Sequence, residues 1–176
     1  RQPMDLLPVR AHIQSPGDCG PRALESVLTY FGRSVPLRTI RVLCKTTRAR
    51  GTTPENLVRA ARALGFHPLV IEWAELHDLA DAVRKRLPPL VLWFSENEGH
   101  YSAVAGINRR FVYLADPEIG AVRRLPAETF RRVWFDFSTN GPEKRSRLYA
   151  RWMMMLEPRE TPRRTSGPGR ARRRQR

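Results

Sequence analysis

Cysteine is scarce in this 176-residue chain: only Cys19 and Cys44 occur. Two thiols are too few for a disulfide framework, so the chain reads as a protein of a reducing compartment with both thiols free. No apolar run reaches transmembrane length, and no basic segment leads into an apolar stretch in the manner of a signal peptide. CxxC and HxxxH spacings are absent, which argues against a structural or catalytic metal, and no glycine-rich phosphate loop is present. Acidic residues are also under-represented, with 17 Asp and Glu against 32 Lys and Arg and a net charge of +15. The chain opens on Arg1 rather than methionine, which leaves room for a processed form with segments upstream.

The positive charge is unevenly spread. Residues 159–176, RETPRRTSGPGRARRRQR, hold eight arginines and one glutamate and no large apolar side chain. Such a segment cannot bury enough surface to order itself, so residues 1–158 are expected to form one domain and 159–176 a disordered tail. A basic tail attracts nucleic acid or an anionic membrane, but as a solvated extension it defines no function.

Before the tail, residues 1–12 read as an extended lead-in, and helical signals follow. After Asp18, the apolar positions Ala23, Leu24, Val27, Leu28 and Phe31 recur at helical spacing, and Gly32 ends the run. Asp18 suits the N-cap, and Pro21 is tolerated in a first turn whose N–H groups are unpaired anyway. LRTIRVLCK (37–45) predicts a short second helix with Cys44 in the core. TTPENLVRAARALG (52–65) predicts a third, capped by Thr53 with Pro54 at its first position and closed by Gly65. FHPLVIEW (66–73) reads as a strand and AELHDLADAVRKRL (74–87) as a fourth helix.

The second half changes to β-branched and aromatic runs: PPLVLWFS (88–95), HYSAVAGIN (100–108) and RFVYLADP (110–117). PAETFRRVW (126–134) reads as a short helix and LYARWMMMLEP (148–158) as a last strand. Helices followed by a largely antiparallel sheet predict an α+β fold rather than alternating α/β. No internal repeat is present.

The chemistry centres on "IQSPGDCGPRALESVLTYFG" (13–32). A cysteine at a helix amino terminus is either a small buried hydrophobe or a thiol activated by the helix end and a nearby imidazolium. His67 and His77 read as surface positions. His100 opens a strand, and Asp116 closes the next one. If those strands form a hairpin through Asn108–Arg109–Arg110, His100 and Asp116 meet at one end of the sheet. Asp116 would then hold the imidazole in the tautomer that takes a proton from a thiol. Gln14, just upstream of Cys19, could donate its amide, together with the Cys19 backbone N–H, to a developing oxyanion.

The segments "Q…DCGPRALESVLTYFG", "GTTPENLVRAARALGF", "LPPLVLWF", "GHYSAVAGI" and "VYLADPEIGAVRRLPAETFRRVW" together resemble the double-glycine leader peptidases, papain-like cysteine peptidases of the C39 type, over about residues 10–156. The resemblance implies a papain-like fold, with Cys19 as nucleophile, His100 as general base and acid, Asp116 as orienting group and Gln14 as oxyanion donor. It also implies hydrolysis of a peptide bond in a peptide or protein through a thioester acyl-enzyme, after a double glycine, without cofactor or metal. A peptide or protein substrate and an ABC exporter are the implied partners, and the cytoplasm or the cytoplasmic side of a membrane is the implied location. Two other readings share the fold: an acyl or peptidyl transferase, and a catalytically idle module that grips a leader peptide.

Overall fold

The computed structural model describes residues 6–138 and 147–159. The basic tail expected over 159–176 lies, beyond Arg159, outside the described residues.

Three helices come first: α1 (Cys19–Tyr30), α2 (Leu37–Leu43) and α3 (Pro54–Ala63). In α3 the expected cap is made, since the Thr53 hydroxyl accepts the Asn56 N–H at 3.2 Å beside Pro54, a bond worth about 1 kcal/mol. Asp18 occupies the N-cap position of α1, yet its side chain makes no capping bond. That carboxylate pairs instead with the partly exposed Arg41 of α2.

The remaining elements are β1 (Phe66–Ile71), α4 (Leu76–Arg84), β2 (Leu90–Ser95), β3 (Glu98–Ile107), β4 (Phe111–Asp116), β5 (Ala121–Pro126), α5 (Ala127–Val133), β6 (Phe135–Ser138), β7 (Arg147–Ala150) and β8 (Met153–Pro158). Six strands form one antiparallel sheet in the order β1-β8-β2-β3-β4-β5, and β6 and β7 pair as a separate hairpin. The fold is therefore α+β with an antiparallel sheet, as expected. The single strand expected over 148–158 is broken in two around Arg151, which takes φ 46°. β5 was not expected, because its largely exposed AVRRLP run carries no apolar alternation.

The apolar run LVLWF of β2 follows from burial on both faces. Leu90 and Leu92 point into a core with Leu24, Val27, Leu28, Ile40, Leu57 and Cys44 of the α1–α3 layer. Val91 and Trp93 point the other way, onto Leu79, Ala82, Phe130 and Trp134 of α4, α5 and the residue beyond it. Successive side chains on a strand alternate faces, so a sheet covered twice needs apolar residues at every position. This layering stacks α1 on β3 and delivers the amino end of α1 to the His100 end of that strand.

Candidate active site

The chain reaches Cys19 through a tight turn. Gly17 adopts φ 82°, and a Cβ there would lie 3.0 Å from the Arg48 Cα and from the carbonyl oxygens of Thr47 and Arg48. Only glycine suits both the backbone angle and that close approach. Cys19 follows as the first residue of α1 and is half-buried.

His100 sits on β3 and Asp116 ends β4. They are 4% and 0% exposed. The β3–β4 pairing runs from Ile107↔Val112 through a bulge at Val104/Gly106 to Ala103↔Ala115, which brings the two side chains to the same end of the sheet. His100 Nε2 lies 2.6 Å from Asp116 Oδ1. An ionised carboxylate only accepts, so Nε2 carries the proton. That leaves Nδ1 as the other ring nitrogen, and the Cys19 thiol is near enough to favour the imidazolium. Burial, the largest influence on His100, disfavours the imidazolium. The Asp116 hydrogen bond, the neighbouring Cys19 thiol and the charges of both partners outweigh it, and the group is pushed up from 6.5 to about 9.

Asp116 is held from several sides. Its Oδ1 also accepts the Glu118 N–H at 2.9 Å. Arg123 Nε stands 2.8 Å from Oδ2 as an ion pair without hydrogen-bond alignment. Arg123 also bonds Glu118 at 2.8 Å and lies over the Trp93 ring, which packs edge-on against His100. His100, Asp116 and Glu118 bring potential metal ligands within 4.8 Å of one another, and the Arg123 guanidinium is paired with both carboxylates.

Gln14 is tied to this corner by its backbone, whose N–H donates to the Pro117 carbonyl at 2.9 Å. Its Oε1 is buried without a hydrogen-bond partner, and the residue lines the same cleft as Cys19. That cleft encloses about 800 Å³. Thr52, Gly99, Tyr101 and Asp136 line it further, and the Tyr101 hydroxyl donates to the Thr52 carbonyl at 3.0 Å. Burial, with a smaller effect of the Glu98 charge, raises the Asp136 carboxyl. Asp136 lies so close to Gly99 that a Cβ there would sit 2.0 Å from its Oδ2.

The structure thus brings Cys19 near the bonded His100–Asp116 pair, with Gln14 and Cys19 lining the same cleft. Cys44 is buried, and burial pushes its thiol up to about 12. His67 and His77 are exposed. Sequence reasoning did not single out Arg123, Trp93, Tyr101 or Asp136. Arg123 is one of two adjacent arginines on an unrecognised edge strand, and nothing local separates it from Arg124.

The family profile described as "Peptidase C39 family" matches residues 10–138. The transport/processing ATP-binding protein ComA of Streptococcus pneumoniae is 35% identical over 124 residues, covering 66% of this chain and 16% of that protein. The chain therefore corresponds to about one-sixth of that relative's length. Among solved structures, the peptidase domain of Streptococcus ComA superposes with a TM-score of 0.68 at 27% identity, covering 86% of this chain and 99% of the other. A double glycine motif protease from an AMS/PCAT transporter, solved with its leader peptide, superposes with a TM-score of 0.66. At 24% identity, over 88% of this chain and 94% of the other, that likeness speaks to the fold.

Proposed function

Because the chain belongs to the peptidase C39 family, we propose that it is a cysteine peptidase that hydrolyses a peptide bond with Cys19 as nucleophile, His100 as acid and base, and Asp116 as the group that orients His100. The carrying observation is the 2.6 Å bond from His100 to the fully buried Asp116 carboxylate, with the Cys19 thiol near enough to raise the proton affinity of His100 and itself lining an open cleft.

The chemistry follows from those positions. The Cys19 thiolate attacks the scissile carbonyl carbon, and its sulfur forms a bond as the carbonyl π electrons move to oxygen. The backbone N–H of Cys19 and the side-chain amide of Gln14 stabilise that oxyanion. Collapse of the adduct breaks the C–N bond, and the His100 imidazolium gives its proton to the departing amine. A thioester remains. Water then attacks it with His100 as base, releasing a carboxylate and restoring the thiolate–imidazolium pair. The raised proton affinity of His100 suits the first half of this cycle, since the imidazolium is the form that faces the leaving amine at neutral pH.

The relatives include transport/processing ATP-binding proteins of which the match covers about one-sixth, which supports a leader peptide ending in a double glycine as substrate and an ABC exporter as partner. Among the described residues no helix is long and apolar enough to cross a membrane. The reading puts the activity in the cytoplasm or at the cytoplasmic face of a membrane.

The test is cleavage of a synthetic double-glycine leader peptide, followed by mass spectrometry. The wild type should release both fragments, and Cys19→Ala should release none while unfolding at an unchanged temperature. Full cleavage by Cys19→Ala would refute the assignment. Added amines separate hydrolysis from acyl transfer, because a transferase would yield the amide in place of the acid.

A further inference from the structure

The residue before Cys19 carries a buried charge that the reaction scheme leaves unexplained. Asp18 is 1% exposed. Its Oδ2 accepts from Arg41 Nη1 on α2 at 2.8 Å, and its Oδ1 has no hydrogen-bond partner. Arg41 is the cation that the ion pairs of the described residues set against it. A carboxylate at that depth keeps its charge only when a cation stands against it.

One residue further along the chain, Cys19 has to work as an anion and His100 as a cation. An uncompensated carboxylate beside the thiolate would oppose that state, because two anions close together in a poorly hydrated setting disfavour each other. Asp18 cannot simply be shed from the fold either. Its backbone N–H donates to Ser15 and its carbonyl accepts from Arg22, so it sits at the hinge between the turn and α1. Arg41 resolves the conflict from the neighbouring helix. It stands beside the fully buried Ile40, so the packing of α2 fixes where its side chain begins.

We propose that Arg41 is a positioning residue for the reaction: by pairing with the buried Asp18 carboxylate from the partly exposed face of α2, it keeps the negative charge compensated beside the nucleophile. The inference rests on the reading of Cys19 as nucleophile. Substitutions distinguish charge compensation from the alternative, a mere staple between the turn and α2.

The experiment measures alkylation of Cys19 by iodoacetamide at pH 6.5 in the full chain, by mass spectrometry, and needs no substrate. Arg41→Gln should slow it about tenfold or more, and with a leader peptide as substrate kcat should fall while KM holds. Arg41→Lys keeps the cation and should retain most of the rate. Asp18→Asn removes the charge and should stay within about threefold of wild type, and the double variant Asp18→Asn with Arg41→Gln should recover to that level. If the double variant is as slow as Arg41→Gln while wild type reacts quickly, compensation is wrong and this inference alone falls. Wild-type Cys19 reacting no faster than Cys44 would overturn the nucleophile reading and this inference with it. Should Arg41→Gln not fold, Asp18→Asn decides: a tenfold loss there also overturns the proposal.

Discussion

Replacing Asp116 by asparagine removes one charge and keeps the shape of the side chain, so it isolates what that charge does for His100. In the wild type burial pulls His100 down, yet the Asp116 hydrogen bond, followed by Cys19, lifts it from 6.5 to about 9. That net rise corresponds to roughly 3 kcal/mol in favour of the imidazolium in the folded protein. Because the folded value lies above the unfolded one, the stabilisation is complete below pH 6.5 and is lost as pH climbs through 9. In Asp116→Asn the neutral amide still accepts the Nε2 proton, but its charge is gone. Arg123, 2.8 Å from that position, then repels the imidazolium. Burial dominates, and His100 should titrate at or below its ordinary value. The assays are NMR titration of the His100 ring protons and urea unfolding at pH 6 and pH 9.5. Wild type should lose about 3 kcal/mol more stability across that interval than the variant. An asparagine variant whose His100 still titrates near 9, or whose stability profile runs parallel to wild type, would refute the reasoning.

Gly99→Ala should be damaging although the residue touches no reacting group. Its Cβ would lie 2.0 Å from Asp136 Oδ2, so either the Asp136 side chain or the strand that carries His100 must shift. We expect a loss of ~1–3 kcal/mol in thermal unfolding and at least a tenfold fall in kcat (each tenfold being about 1.4 kcal/mol); Asp136→Ala should restore both, and a silent Gly99→Ala would refute the steric account. Gln14→Ala should lower kcat by roughly two to three orders of magnitude if its amide serves the oxyanion, and an unchanged kcat in steady-state turnover would remove it from the mechanism. Cys44, fully buried with its thiol pushed up to about 12, should stay unmodified in native protein at pH 8 and react only in urea. Mass mapping of alkylated peptides checks this.

Several local features were legible in the sequence because the forces behind them act over one turn of chain. Thr53, Pro54 and Gly65 bounded α3 as expected, since caps and breakers work within four residues. The helical apolar spacing after Cys19 and the strand runs at 90–95 and 100–107 identified α1, β2 and β3. The order of Gln14, Cys19, His100 and Asp116 singled out residues that the structure brings together, Gln14 and Cys19 on one cleft and His100 bonded to Asp116 beside it. The limit of that reasoning is visible at Asp18, where the local rule assigns a helix cap and the side chain goes instead to Arg41. It is visible again at β5, an edge strand without alternation, and therefore at Arg123.

The sequence by itself determined the five helices, the strands of the strong apolar runs, and that a thiol would stand at a helix amino terminus. Only the tertiary structure decided which cations meet the buried carboxylates. It also decided how far His100 is pushed from its ordinary value. The reason is physical: propensity, capping and periodicity belong to neighbours along the chain, whereas desolvation and ion pairing depend on what other layers of the fold bring within a few ångströms. Asp18 and Arg41, or Asp116 and Arg123, come together only through the packing of α1 on α2 and the pairing of β4 with β5.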